Sequence, residues 1–260
     1  MSDIYQHYRK NEHAFVDRVL DWQRHVEDVY VETLTPFLNP REQQIAKQII
    51  GQYGDVKLAS FGGFTAAEQQ RVAFYPPYRE PADLNFQVQV FRIRYPQQFK
   101  TLTHPEVLGA LMGLGLARSC FGDIVIFDGN VQFATEAELA PFLKQEFQQV
   151  GRIGIKLEGV PRAEINPPTA SGEWGTILLS SWRLDAVLAE GFHLSRQKAK
   201  KAIQAGLVKV NWAEISNPAY PLAVGDLLSF RGHGRLSLGE EQGRTRKDRY
   251  IIAVKRQIRR

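Results

Sequence analysis

Cysteine is nearly absent from this 260-residue sequence, since Cys120 is its one thiol and no Cys or His stands near it at the spacing of a metal site. A lone thiol cannot close an internal disulfide, which is typical of proteins in a reducing compartment. The six histidines are scattered along the chain. We therefore predict a cytoplasmic protein without a metal site, in which Cys120 is a buried bystander.

Long hydrophobic runs are also missing. The longest weakly polar run, residues 107–117, is much shorter than the roughly 20 residues that cross a bilayer. The first ten residues are polar and lack the apolar core of a signal peptide. We therefore predict a soluble protein that has no membrane partner.

Motifs of catalysis and cofactor binding are scarce as well. No loop ends in the Gly-Lys-Ser/Thr signature that cradles phosphates, and no Ser or Cys stands in a recognisable nucleophile setting. The run Gly113-Leu114-Gly115 lies at the end of a predicted helix, whereas a dinucleotide fingerprint lies between a strand and a helix. We predict a protein with no catalytic residues and no cofactor.

What the sequence does contain is an uneven distribution of charge. Residues 181–260 hold 16 Lys and Arg against 7 Asp and Glu, a balance of +9. The first 180 residues hold 17 against 21, a balance of −4. This asymmetry predicts a polyanionic partner for the C-terminal part of the chain, with a solvated basic tail as the alternative.

The first third of the chain predicts a small α/β domain, residues 1–78. Apolar residues recur at helical spacing over residues 4–35, and Pro36 is expected to end that helix. A second helix is predicted over residues 40–50, with Asn39 as N-cap and Gly51 as its stop. Two strands, residues 56–60 and 71–75, and a proline-rich boundary over residues 76–81 follow.

The next segment, residues 79–160, has the order βαββαβ of a ferredoxin-like, RRM-like plait, which makes the chain α+β. Its strands are predicted at residues 85–95, 123–127, 131–134 and 152–158, with helices at 104–116 and 136–150. Asp128-Gly129-Asn130 forms the hairpin turn, and Thr135 is the predicted N-cap of the second helix. A linker is predicted at residues 161–178.

The last segment, residues 179–260, begins with two helices. Ser180 or Ser181 is expected to cap the first, which runs to Glu190. Ser195 is expected to cap the second, residues 196–205, whose exposed faces carry Arg and Lys. Strands at residues 208–211 and 227–231 follow. Cations at the start of a helix add to the partial positive charge of its N–H groups, which predicts a phosphate site there.

Residues of this last segment resemble the S-four domain, an RNA-binding module named after a small-subunit ribosomal protein. The matching positions are Arg183-Leu184-Asp185, Leu188, Ser195-Arg196, Ala199, Ile203, Gly206, Val208, Val210-Asn211, Gly225-Asp226 and Arg231. The resemblance implies RNA-backbone contacts from Arg183, Ser195, Arg196 and Lys200 and a structural role for Asp185, which would hold a cation or a backbone amide. Lys200 lies one helical turn after Arg196, and the short connection at residues 191–194 lets the two helices pack closely, so we predict that Arg183, Arg196 and Lys200 form one phosphate-binding cluster. With the neighbouring cations, the predicted RNA-binding residues are Arg183, Ser195, Arg196, Lys198, Lys200, Lys201, Lys209 and Arg231.

The whole arrangement is similar to the YlmH family of bacterial ribosome-associated proteins. In the plait, Leu108-Gly109-Ala110-Leu111, Gly113-Leu114-Gly115 and Gly122-Asp123-Ile124 resemble that family's second RNA-binding domain. The resemblance implies binding to the large ribosomal subunit and its tRNA, in quality control of stalled translation. We predict a monomeric protein that binds structured rRNA and tRNA. Family members also lie genetically close to cell-division genes.

Two other functions remain open. S-four domains also occur on pseudouridine synthases, so an RNA-modifying enzyme is one alternative, with Asp83 and Asp123 as candidate acidic residues. Each is more readily explained by turn or strand-start chemistry. A cell-division-linked interaction scaffold is the other alternative. Because Trp182 and Trp212 are the only tryptophans of the module as predicted, we expect structured RNA to bind better than single strands.

Overall fold

The structure is a computed structural model that describes residues 4–51, 54–98, 100–161, 164–165 and 172–258. It divides into two units, residues 1–169 and 170–260. Residues 162–163 and 166–171 of the predicted linker lie outside the described part of the chain. No helix among the described residues is long and apolar enough to cross a membrane.

The first unit begins with two helices on a three-stranded antiparallel sheet. The helices are α1 (His13–Val29) and α2 (Pro40–Ile50), and the strands are β1 (Thr33–Leu38), β2 (Lys57–Phe61) and β3 (Gln70–Tyr75), in the order β1-β3-β2. Helix α2 has its predicted bounds, because the Asn39 side chain accepts hydrogen bonds from the backbone N–H groups of Arg41 and Glu42.

The helix predicted over residues 4–35 is wrong in its length. Helix α1 ends at Val29, where Tyr30 has a left-handed φ of 56°, and Pro36 lies inside strand β1. Proline is tolerated there because β1 is an edge strand and its pairing with β3 is interrupted between Leu34 and Phe37.

The plait follows in the same unit, with the predicted order of elements. Its strands are β4 (Val88–Arg94), β5 (Phe121–Phe127), β6 (Asn130–Glu136) and β9 (Lys156–Gly159), and its helices are α3 (His104–Met112) and α4 (Ala140–Glu146). The antiparallel order β5-β6-β4-β9 is that of the ferredoxin-like fold. A short pair, β7 (Gln149–Val150) and β8 (Ile153–Gly154), follows α4. Buried side chains such as Phe91, Phe133 and Leu143 fill the layer between sheet and helices.

The prediction that Thr135 is the N-cap of the second plait helix is wrong. Thr135 lies in β6, opposite Phe121 of β5, and its hydroxyl donates a hydrogen bond to the Cys120 carbonyl at 3.1 Å. The α-helix begins only at Ala140, with Pro141 in its first turn. Strand pairing therefore extends through the position where a cap was expected.

The second unit is a six-stranded antiparallel sheet with two helices on one face. The helices are α5 (Leu184–Gly191) and α6 (Arg196–Gln204). The strands are β10 (Glu173–Leu179), β11 (Val208–Val210), β12 (Ala213–Glu214), β13 (Leu227–Phe230), β14 (Gly234–Arg244) and β15 (Tyr250–Ile258), in the order β10-β15-β14-β13-β11-β12. The core lies between the helices and the sheet.

Two features of this unit differ from expectation. Residues 173–178 of the predicted linker belong to β10, which pairs with β15 from Glu173–Arg256 to Leu179–Tyr250. The predicted basic extension is thus an internal sheet strand. Helix α5 is not capped by Ser180 or Ser181, because its first N–H groups are satisfied by backbone carbonyls: Leu184 donates to Tyr220 and Asp185 to Pro218.

Candidate nucleic-acid interface

A buried carboxylate lies at the centre of the candidate site. Asp185, in the first turn of α5, has a side chain that is 1% exposed. Arg183 donates to both of its oxygens, at 3.2 and 3.3 Å, and Arg196 donates to Oδ1 at 3.3 Å. The Lys200 Nζ lies 3.9 Å from Oδ2. We call Arg183, Arg196 and Lys200 the cation cluster.

The charges of this arrangement do not cancel. Burial raises the pKa of the Asp185 carboxyl, but the hydrogen bonds from Arg183 and Arg196 and their positive charges outweigh it and hold the pKa below its usual value. The hydrogen bond with Asp185 raises the pKa of Arg183. One carboxylate therefore holds three cations, and the cation cluster keeps an excess of positive charge.

The three cations remain accessible from solvent. Their side chains are 44%, 50% and 51% exposed for Arg183, Arg196 and Lys200. An exposed guanidinium still presents donors to an incoming anion, and Arg is suited to phosphate by its planar fork. The buried Asp185 carboxylate orients the three cations from the protein side, and their solvent-exposed sides stay available to an anion.

The start of α6 adds to this positive surface. The Ser195 side chain accepts a hydrogen bond from the Lys198 N–H at 3.2 Å, which confirms the predicted cap. Arg196 and Lys200 lie one turn apart on the flank that faces α5. The N-terminal end of α6 and two cluster residues therefore meet at one place.

Packing between the two helices sets these distances. Leu188 of α5 and Ala199 and Ile203 of α6 are fully buried in one core. The apolar face of α6 is turned toward that core, so its flank brings Arg196 and Lys200 over Asp185. The cluster depends on the tertiary contact of α5 with α6.

The structure does not bring all eight predicted residues together. Lys198 lies on the flank of α6 opposite to Arg196, and Lys201 points away from the core. Lys209 is exposed on β11, opposite Ser229, and Arg231 is exposed just after β13. These four cations stay predicted RNA contacts outside the cation cluster.

Other positions of the S-four resemblance are structural. The Asn211 amide donates to Asp226 Oδ1 at 2.7 Å and accepts from the Leu227 N–H at 2.9 Å, while Asp226 Oδ2 accepts from Ala223. Asn211 has a left-handed φ of 48°. These bonds hold the turn after β11 against the start of β13, so the motif residues maintain the sheet that supports the helices.

The outer face of the plait's sheet is covered within the first unit, a feature that sequence reasoning missed. Phe37 and Phe64 pack against Val90, Val125 and Ala134 of that sheet in one buried cluster. A Cβ on Gly122 would lie 2.7 Å from the Phe37 ring. This sheet face, which RRM-type domains use to stack bases, is occupied by the N-terminal part of the chain.

Three family models match this chain. Residues 182–228 match "S4 domain", residues 81–164 match "Putative RNA-binding domain in YlmH", and residues 11–79 match "YlmH, N-terminal". These matches define a protein built on RNA-binding domains, with an S-four domain near its C-terminus.

The similarity also extends to whole proteins. The chain is 44% identical over 257 residues to "Ribosome-associated protein quality control protein P2" of Bacillus subtilis (strain 168), covering 99% of this chain and all of that protein. It is 33% identical to a solved structure, "Cell division protein ylmH from Streptococcus pneumoniae", with a TM-score of 0.53, covering 62% of this chain and 97% of that one. The chain belongs to the YlmH family, as predicted, and the S4 domain match confirms the predicted S-four domain. The helices and antiparallel sheets of the structure confirm the predicted α+β class.

Proposed function

We propose that this protein binds structured rRNA and tRNA on the large ribosomal subunit through its cation cluster, as a monomeric, non-catalytic factor in quality control of stalled translation in the cytoplasm. The observation that carries the proposal is the convergence of three half-exposed cations on one buried carboxylate. Lys198, Lys201, Lys209 and Arg231 would contact flanking phosphates.

The geometry explains why the cluster suits a polyanion better than it suits folding alone. One cation would neutralise Asp185, and the second and third repel each other unless an anion approaches. Asp185 holds two of them by hydrogen bonds, so less side-chain freedom is lost when a phosphate binds. A pre-oriented cluster of this kind favours the closely spaced phosphates of a folded RNA.

The ribosomal setting is supported by a relative. The Bacillus subtilis protein is described as a ribosome-associated protein quality control protein, and it matches this chain end to end. The description belongs to that protein, and we extend it to this chain because the similarity covers both units. The large subunit and its tRNA as the bound partners are part of the proposal.

The two acidic candidates for an RNA-modifying enzyme have other roles. Both Asp123 oxygens accept backbone hydrogen bonds, from Glu68 at 2.6 Å and Gln69 at 3.1 Å, and burial raises the pKa of Asp123. Asp83 is exposed in the 3-10 turn Pro81–Asp83. These contacts support a non-catalytic protein. The Streptococcus pneumoniae relative of solved structure is described as a cell division protein, so a cell-division-linked interaction scaffold is the second candidate function.

Ribosome co-sedimentation of single variants tests the proposal. Arg196→Ala should weaken binding by about 1.5–3 kcal/mol at low salt, because one charge-assisted phosphate contact is lost. Its stability should fall by about 1 kcal/mol, because Asp185 loses one hydrogen bond but keeps Arg183 and Lys200 as partners. Arg183→Ala should behave in the same way.

Two controls frame this test. Lys47→Ala removes an exposed cation from α2 in the first unit and should leave binding unchanged. Leu188→Ala removes a buried side chain and should lower the melting temperature and binding together, at a cost of about 2–5 kcal/mol in stability. Full ribosome binding by both arginine variants at moderate salt would contradict the proposal, and uridine isomerisation in rRNA by the purified protein would favour the enzyme.

A further inference from the structure

A second basic surface lies at the tip of the β14–β15 hairpin, residues 245–249. The loop contains Thr245, Arg246, Lys247, Asp248 and Arg249, and it joins the two longest strands of the second unit. The proposed function does not use this loop. Its charges, its rigidity and the neighbouring strand together suggest a ligand site.

The loop is held in one shape by its own hydrogen bonds. The Thr245 N–H donates to the Arg249 carbonyl at 2.8 Å, and the Asp248 N–H donates to the Thr245 carbonyl at 2.9 Å. The Arg249 N–H also donates to the Thr245 hydroxyl oxygen at 3.1 Å. These bonds fix the backbone from which Arg246, Lys247 and Arg249 project, so less backbone entropy is lost on binding.

The acidic residue of the loop, Asp248, forms an ion pair with Arg244, which also lies 3.6 Å from Glu241 near the end of β14. Arg244 donates to Asp248 at 2.7 Å, and its guanidinium lies 4.3 Å from the centre of the Tyr250 ring. Arg246, Lys247 and Arg249 are exposed, and none of them forms an ion pair with a carboxylate among the described residues. The tip therefore presents three cations that no carboxylate of the described residues contacts directly, and it keeps an excess of positive charge.

An apolar side chain lies beside these cations. Leu178 of the neighbouring edge strand β10 is 41% exposed, and it lines an open groove of about 410 Å³ with Thr245, Arg246, Lys247 and Arg249. Ligand pockets begin at about 300 Å³. Trp174, 68% exposed, lies four residues before Leu178 and therefore on the same face of β10. Cations beside exposed apolar and aromatic side chains are the elements that bind unpaired nucleotides.

We propose that this groove binds an unpaired nucleotide of the RNA whose folded part lies on the cation cluster. Its phosphate would contact Arg246, Lys247 and Arg249, and its base would lie against Leu178. Trp174, about 13 Å further along β10, would offer a stacking surface to a more distant base of the same strand. This inference rests on the proposed function, since the cation cluster would bind the folded part of the same RNA. It also adds a single-stranded segment to the ligand, whereas the sequence predicts only that structured RNA binds better than single strands.

The test compares two RNAs on the full-length protein, a blunt stem–loop and the same stem–loop with a short single-stranded tail at either end. We expect a tail to improve the wild-type dissociation constant about tenfold. The double variant Arg246→Ala/Lys247→Ala should lose that gain and bind the blunt RNA within about twofold of wild type. Leu178→Thr, which keeps a strand-forming residue at a half-exposed position, should reduce the gain without changing the salt dependence.

Two further variants separate this inference from the proposed function. Arg24→Ala/Lys47→Ala removes two exposed cations from the first unit and should keep the full gain from the tail. Arg196→Ala should weaken both RNAs and keep their ratio. If Arg196→Ala left the blunt RNA unaffected, the proposed function would be wrong, whatever the tip does.

The source of the nucleotide is tested by competition. Uridine monophosphate carries the same phosphate and base as the tail, so it should compete only for the tail-dependent part of binding. Millimolar concentrations are needed because the tethered tail has a high effective concentration at the groove. The inference is overturned if Arg246→Ala/Lys247→Ala keeps the gain from the tail. It is also overturned if that variant weakens both RNAs equally, since the tip would then contribute only diffuse charge.

Discussion

Two groups of arginine and carboxylate in this protein have opposite environments. Arg71, in the first unit, is 6% exposed and donates to the backbone carbonyls of Thr35 and Gln87. Burial lowers the pKa of Arg71, and the charge of the nearby Glu136 partly opposes that shift. In the second unit, Arg183 and Arg196 use some of their donors on Asp185 and remain about half exposed. The difference shows that an arginine with a carboxylate neighbour indicates a binding surface only when donors remain accessible.

The comparison also explains the charge distribution along the chain. The first unit uses Arg71 to join separate segments, since Thr35 lies on β1 and Gln87 just before β4. The second unit concentrates exposed cations on its helices and at the hairpin tip. An excess of positive charge there costs stability unless a polyanion binds, so it is more readily explained by function than by folding.

The largest effect is expected at the buried arginine. Arg71→Met should destabilise the protein by about 3–5 kcal/mol, because the Thr35 and Gln87 carbonyls lose their donor and Glu136, itself 8% exposed, loses a compensating charge. Urea unfolding measures this loss. RNA affinity of the folded protein should stay unchanged, and a specific loss of RNA binding without loss of stability would remove the contrast between the two groups.

A smaller effect is expected at Asp185, with a defined pH dependence. The folded protein lowers the pKa of Asp185, so this group stabilises the fold above the unfolded pKa, about 3.9, and that stabilisation is lost as pH falls through the folded pKa. Asp185→Asn should therefore lower stability at neutral pH, by about 1–3 kcal/mol. It should also remove part of the decline in stability below about pH 4.

Thermal melts of the wild type and Asp185→Asn across pH 2–7 measure both effects. Glu106, whose pKa is lowered to about 2 by its hydrogen bonds with Lys100 and Thr103, contributes to the same acid range in the first unit. Glu106→Gln is thus the matched control, because it removes a carboxylate of lowered pKa from the first unit instead of from the cation cluster. Parallel pH profiles for the wild type and Asp185→Asn would show that the carboxylate does not hold the cluster by charge.

Local signals explain which elements could be predicted. Helices α2 and α6 were predicted closely, because Asn39 and Ser195 form cap bonds with residues of their own first turns. Strand β1 was missed because Pro36 is a poor strand residue except at an edge. Strand β10 was missed because it pairs with β15, about 80 residues later in the chain, and such pairing leaves no local signal.

The candidate site was predictable in its residues and less so in its geometry. The resemblance to the S-four domain supplied Arg183, Ser195, Arg196 and Lys200, with Asp185 as a structural residue. The spacing of Arg196 and Lys200 and the short connection between the helices also predicted that these residues lie close to Arg183. The distances of the three cations from Asp185 depend on how α5 packs against α6, which spacing alone does not determine. The basic segment Arg244–Arg249 is apparent in the sequence as an alternative RNA surface, but its groove with Leu178 was not predicted, since Leu178 lay in the predicted linker.

The smallest effect separates the cation cluster from the wider predicted set. Lys200 and Lys201 are adjacent, equally charged and both exposed, but only Lys200 lies near Asp185, at 3.9 Å. Successive helical residues point about 100° apart, so Lys201 faces away from the cluster.

A phosphate contact adds about 0.7–0.9 to the slope of log affinity against log salt. Lys200→Ala should therefore lower that slope by about this amount, and Lys201→Ala by clearly less. Filter binding of one stem–loop across a salt series measures both slopes with the same net charge change. If Lys201→Ala lowered the slope as much as Lys200→Ala, RNA would contact the outer face of α6 as well, and the cluster around Asp185 would be one part of a broader surface.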